Sequence, residues 1–146
     1  MLVGAIIGGI IGVLVLVFAY FLREQRFNKI LRSIGNEPLE YAAQFNYASA
    51  GRYRNSWKYY DSYGALYVIG KTAYYKSSET AAPVVFNLDE CTVQAEPEWR
   101  KLKWFSITRP GGEKFYFNSN KMGAFVNNSD ETLKALAVIQ AKKNAG

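Results

Sequence analysis

The chain has 146 residues, 49% of them apolar and 16% aromatic, which is enough for one packed domain beside an N-terminal apolar run but not for two. It holds no histidine, which excludes imidazole bases, histidine metal ligands and Ser/His or Cys/His nucleophile pairs. Its single cysteine, Cys91, excludes an intramolecular disulfide and fits a reducing compartment.

Met1 to Leu22 carries no charged residue, and fourteen of the positions from Leu2 to Leu22 are Leu, Ile, Val or Phe. On the insertion scale these favour entry into a bilayer by about 4 to 8 kcal/mol. At about 1.5 Å per residue the run is about 31 Å long, the thickness of a hydrocarbon core. A cleaved signal peptide would need a basic stretch before the apolar run and small residues after it, whereas Tyr20-Phe21-Leu22-Arg23 follows here. The reading is an uncleaved single span over residues 1–22, with Phe18, Tyr20 and Phe21 as an interfacial aromatic belt. Arg23, Arg26, Lys29 and Arg32 follow the span and nothing basic precedes it, so the positive-inside rule puts the N-terminus outside and the rest on the cytoplasmic or equivalent organelle side.

Gly4, Gly8 and Gly12 recur every four residues, forming a smooth stripe that suits close helix packing in a homo- or hetero-oligomer of transmembrane subunits. The plainer reading is that glycine is common in membrane helices. Phe27, Ile30, Leu31 and Ile34 continue the helical period, Gly35 suits the residue after a helix end, and Pro38 blocks continuation. One helix from Leu2 to Ile34 is predicted. Arg23, Arg26, Lys29 and Arg32 either touch anionic headgroups or serve only as a topology signal. Leu39 to Ala48 reads as a second short helix that completes a linker over residues 23–52.

From about Tyr53 the period changes to two, and residues 53–146 read as the folded domain. Seven strands are predicted: Ser56–Asp61, Ala65–Ile69, Thr72–Ser77, Pro83–Leu88, Cys91–Gln94, Lys103–Thr108 and Glu113–Asn118. Turn signals at Gly70-Lys71, Ser77-Ser78 and Pro110-Gly111-Gly112 separate the runs. A C-terminal helix follows, capped by Asn128 or Ser129, with Leu133, Leu136, Ala137 and Ile139 as its apolar face.

Ala65 to Ser77 resembles the second and third strands of pleckstrin-homology domains and of the related GRAM domains. Val84 to Val93 looks like the fourth-strand region of that family, and Trp104 to Phe117 like its last hairpin. The resemblance implies an α+β fold, a seven-stranded antiparallel barrel closed at one end by the C-terminal helix. The loop that carries a basic cluster in phosphoinositide-binding members would here be Asp61 to Gly64, which has no basic residue. The family's C-terminal tryptophan is absent, and Leu133 or Leu136 would fill its space.

Arg100, Lys101 and Lys103 are the densest basic spot of the domain, suited to phosphate, anionic lipid or an acidic partner, or simply to a solvated loop partly neutralised by Glu96 and Glu98. Cys91 reads as a small buried apolar residue. The carboxylates show no metal-ligand spacing, no phosphate-binding glycine loop opens a helix, and no nucleic-acid module signature accompanies the net charge of +6. No cofactor is expected. These features point to a non-enzymatic, membrane-anchored interaction domain, an accessory or scaffolding subunit whose partners are the bilayer and other membrane subunits. The alternative is a tethered sensor of anionic headgroups.

Overall fold

A computed structural model describes residues 2–55, 57–99, 102–119 and 129–145, without the side chains of 2–5 and 129. Its elements are α1 (Leu2–Ile34), β1 (Tyr41–Ala48), β2 (Ser62–Ile69), β3 (Thr72–Lys76), β4 (Val84–Asn87), β5 (Thr92–Trp99), β6 (Leu102–Thr108), β7 (Lys114–Asn118) and α2 (Ser129–Asn144). The first helix has the bounds expected from its apolar run. It ends where Gly35, at φ +74°, turns out of the helix and donates its N–H to the Arg32 carbonyl.

All seven strands form one antiparallel sheet in the order β4-β3-β2-β1-β7-β6-β5. The sheet is open, with β4 and β5 as its edges, so the barrel expected from the resemblance is reduced to an open antiparallel sheet with two helices. The central strand β1 overturns the helix expected over Leu39–Ala48. Tyr41, Phe45, Ala43 and Tyr47 pack into the main core on one face, while Ala42 and Ala48 are covered on the other. Hydrogen bonding to β2 on one side and β7 on the other outweighs the helical propensity of the alanines. Conversely, residues 57–61 form no strand. Seven strands are present, but the first lies earlier than its tyrosines and tryptophan suggest.

Three apolar clusters organise the fold. The main core gathers Phe45, Leu66, Phe86, Phe105, Phe115 and Phe117 beneath α2. Its rings meet mostly edge-on or tilted, as Phe45 and Phe105 do at 5.9 Å between centroids. On the opposite face of the sheet, α1 covers Ala65 and Tyr67, and Tyr53 and Tyr59 pack on Trp104 and Tyr116. The face of α2 differs from expectation: Thr132, Ala135, Leu136 and Ile139 are buried, while Leu133 and Ala137 are exposed. Polar anchors set that rotation. The Tyr41 hydroxyl donates to the Glu131 carboxylate (2.5 Å), the Ser119 N–H donates to Thr132 Oγ1 (2.8 Å), and Lys143 Nζ donates to the carbonyls of Leu88 and Cys91. Burial, with the Glu131 hydrogen bond and charge behind it, pushes the Tyr41 hydroxyl far above its ordinary pKa, so it remains a donor. Cys91 is buried in the main core, and burial raises its thiol pKa.

Gly64 is the tightest backbone approach among the described glycines. A Cβ there would lie 2.2 Å from the Lys76 carbonyl oxygen on β3. Gly64→Ala must push two strands apart and is expected to lower stability by about 1 to 3 kcal/mol, measured by denaturant unfolding. A further expectation concerns Glu96. Burial disfavours its charge, but hydrogen bonds from Gln94, Lys114 and Ser106, with the Lys114 charge, prevail and hold its pKa below the ordinary 4.5. Its contribution to stability is therefore full above about pH 4.5 and drains as pH falls through the lowered folded value. Glu96→Gln should flatten that acid limb of the stability–pH profile.

Candidate functional site

Among the described residues no group of three or more Cys, Asp or Glu side chains is placed to hold a metal ion. The best-built feature is the junction where α1 crosses the sheet.

The helix first meets the sheet one residue beyond the apolar run. The guanidinium groups of Arg23 and Arg26 each lie 4.5 Å from the centre of the Tyr63 ring, at the start of β2. Two cations on one ring give attraction of about 0.5 to 1 kcal/mol each where solvent is near. Beside them Gln44 Nε2 donates to Glu24 (2.8 Å), tying β1 to the same turn of helix. Further along, Ile30 is fully buried against Ala65 and Tyr67, with Phe27 and Ile34 packed around them. Lys76 Nζ donates to Ser33 Oγ (2.8 Å). Burying an Ile side chain contributes about 1.5 to 3 kcal/mol, so this seam is an apolar contact with polar ties at both ends.

Beside the seam a cavity of about 270 Å³ is lined by Leu22, Gln25, Arg26, Lys29, Tyr63, Ser78 and Glu79. It joins the last apolar residue of the run, two basic side chains and the β3–β4 connection. Arg32 stays outside it, exposed, with Nε donating to the Asn28 carbonyl.

The proposed basic residues thus divide. Arg23 and Arg26 share Tyr63, and Lys29 lines the adjoining cavity. Lys103 is half-buried on β6, three strands away from β2. Arg100 and Lys101 lie outside the described residues. Gly8 and Gly12 sit on an open helix surface, where an added Cβ would meet nothing within 4 Å, as it would at Gly9. Gly4 lies within α1, but its surroundings fall outside the described side chains.

Because β1 is Tyr41–Ala48, the loop joining the first two strands is 49–61, not Asp61 to Gly64, and it carries Arg52, Arg54 and Lys58. Sequence reasoning missed this loop because its aromatics suggested a strand. Tyr53 stacks on Tyr116 (3.9 Å, 9° between planes) and meets Trp104 edge-on, while Tyr59 meets Trp99 and Trp104 edge-on. A run of aromatics broken by Arg52, Arg54, Asn55 and Lys58 has no period of two, and that is the signal that marks it as a loop.

The chain matches no known protein-family model and no curated protein.

The seam can be tested directly. Ile30→Ala should cost about 2 to 4 kcal/mol at this contact. It should speed amide hydrogen exchange over residues 24–34, with β6 and β7 unchanged. An equal rise throughout the sheet would assign Ile30 to global stability instead.

Proposed function

We propose that this chain is a non-enzymatic, single-pass membrane-anchored interaction domain, an accessory or scaffolding subunit of a membrane complex. The observation that carries the reading is that α1 runs unbroken from its apolar part into the buried seam with β2. Among the described residues it is the one helix long and apolar enough to cross a membrane. A flexible tether would let the domain sample its surroundings, whereas this helix carries the domain as an extension of itself. In this reading the basic residues from Arg23 to Arg32 face the cytoplasm or its organelle equivalent. The sheet with α2 is of the pleckstrin-homology-like kind.

The glycine stripe has a defined place in this arrangement. Gly12 and Ile30 are eighteen residues apart, about five full turns at 3.6 residues per turn, as are Gly8 and Arg26. The smooth face within the membrane and the sheet-bearing face below it are therefore one side of the same helix. A partner helix packed on the glycines leaves the membrane against the sheet domain, next to the cavity at Leu22, Arg26 and Lys29. Membrane packing and domain contact then select one partner together.

A second reading, sensing of anionic headgroups, is favoured by that same cavity. Arg26 and Lys29 stand beside the last apolar residue, at the depth where phosphate groups lie.

Extracted in a mild detergent, the full chain should migrate well above its 16.5 kDa monomer and carry defined membrane subunits with it. Gly8→Leu should release it. A monodisperse monomer indifferent to Gly8→Leu would contradict the subunit reading.

A further inference from the structure

Asn46 is 2% exposed, and its side-chain Nδ2 has no hydrogen-bond partner. A buried donor left unpaired is costly, so such a group calls for an acceptor. Asn118, its neighbour across β7, does not supply one, for Asn118 Oδ1 and Nδ2 are themselves buried and unpaired. On the other side Asn46 stands opposite Tyr63 of β2, on the face of the sheet that α1 covers.

Asn46 and Tyr63 line one wall of a crevice, and Arg23 and Arg26 line the other. Both guanidinium groups lie 4.5 Å from the centre of the Tyr63 ring, so two like charges are gathered at one point. Among the described residues neither arginine has a carboxylate within ion-pair distance. Glu24 is tied to Gln44 (2.8 Å), and Glu79, on the neighbouring cavity, pairs with neither. Two full cations and a buried amide donor therefore converge with no acidic side chain of this chain among them. The crevice holds about 10 Å³, room for one group of water size. That admits the tip of a carboxylate, whereas a phosphate with its ester arms is too large. Arg26 is exposed, so the crevice is open to a neighbouring molecule.

We propose that this crevice takes a carboxylate from a partner membrane subunit, an Asp or Glu within the first turn beyond the partner's own apolar span. The inference rests on the subunit reading above. Gly8 and Arg26 lie on one side of α1, so a helix packed on the glycines reaches the level of Arg26 on that same side. A carboxylate has about four lone-pair sites, enough to accept from Arg23, Arg26 and the Asn46 amide together. The acid then fixes which helix fits and at what depth, a choice that packing on glycine alone leaves loose.

The test uses the full chain extracted with its assembly in a mild detergent. Arg23→Gln combined with Arg26→Gln should cut retention of the co-migrating subunit by about tenfold or more. Arg23→Lys and Arg26→Lys, made singly, keep the charge and should keep the subunit. Their amines should then form a zero-length carbodiimide cross-link to an Asp or Glu of the partner. Asn46→Leu should lower retention several-fold while leaving the thermal unfolding midpoint unchanged or raised, because it replaces an unpaired buried amide by an apolar group of similar size. An assembly indifferent to these variants, or one whose retention follows the anionic lipid content instead, overturns the proposal. So does a cross-link closed within the chain on Glu24 or Glu79, or an Asn46→Leu chain with a lowered midpoint and full retention. The two failures are distinguishable: an assembly that forms without these side chains sinks only this inference, whereas a chain that is monomeric in every form sinks the subunit reading itself.

Discussion

Everything distinctive about this molecule follows from Ile30. A fully buried residue near the end of a long helix, with half-buried Phe27 and Ile34 beside it, means that the helix ends inside the fold rather than before it. The seam it makes with Ala65 and Tyr67 is small, but Arg23 and Arg26 on Tyr63, Glu24 with Gln44, and Ser33 with Lys76 hold it on both sides. A contact of this kind determines which end of the strands faces the apolar run. It thereby places the cavity at Leu22 and, in the proposed arrangement, the path of a partner helix.

The sheet is built to receive that helix. Its two faces are both covered, one by the aromatic core and α2, the other by α1, Tyr53 and Tyr59. Central strand β1 serves both faces: Tyr41, Ala43, Phe45 and Tyr47 face the core, and Ala42, Gln44, Asn46 and Ala48 lie on the covered opposite side. Gly64 lets β3 come close enough for the helix-bearing part of the sheet to stay tightly paired.

The elements differ in how far they could be read from the residues alone. The first helix was legible to its last residue, because an apolar run, a helical period, Gly35 and Pro38 all agree. The hairpins β2–β3 and β6–β7 were legible because the turns at Gly70 and Gly112 hold positive φ and the flanking residues alternate, whereas β2 starts at Ser62 rather than Ala65 and β5 runs on to Trp99 past the expected Gln94. Strand β1 was not: Gln44 to Tyr47 alternates, but the alanines at 42, 43 and 48 and Pro38 at the position that opens a helix suit a helix equally well, and the pairing with β2 and β7 that decides for the strand is long-range. Once β1 was misplaced, its loop was misplaced with it, and the basic residues at 52, 54 and 58 went unrecognised as one group. The α2 face was missed for a different reason. Its rotation is set by Thr132, Glu131 and Lys143 bonding to distant backbone and side-chain groups, which no local pattern encodes. The open sheet edges depend on long-range closure, equally invisible in a run of short strands.

The central claim is that the sheet domain is a rigid continuation of the long apolar helix α1. It is tested most directly by a pulsed electron-spin distance measurement on the full chain in a bilayer. Labels at Asn28→Cys, on α1, and Glu113→Cys, on the β6–β7 turn, with Cys91→Ser, span the seam between helix and sheet. A single narrow distance distribution is predicted. A broad one, as for a domain swinging about Gly35 to Pro38, would contradict it.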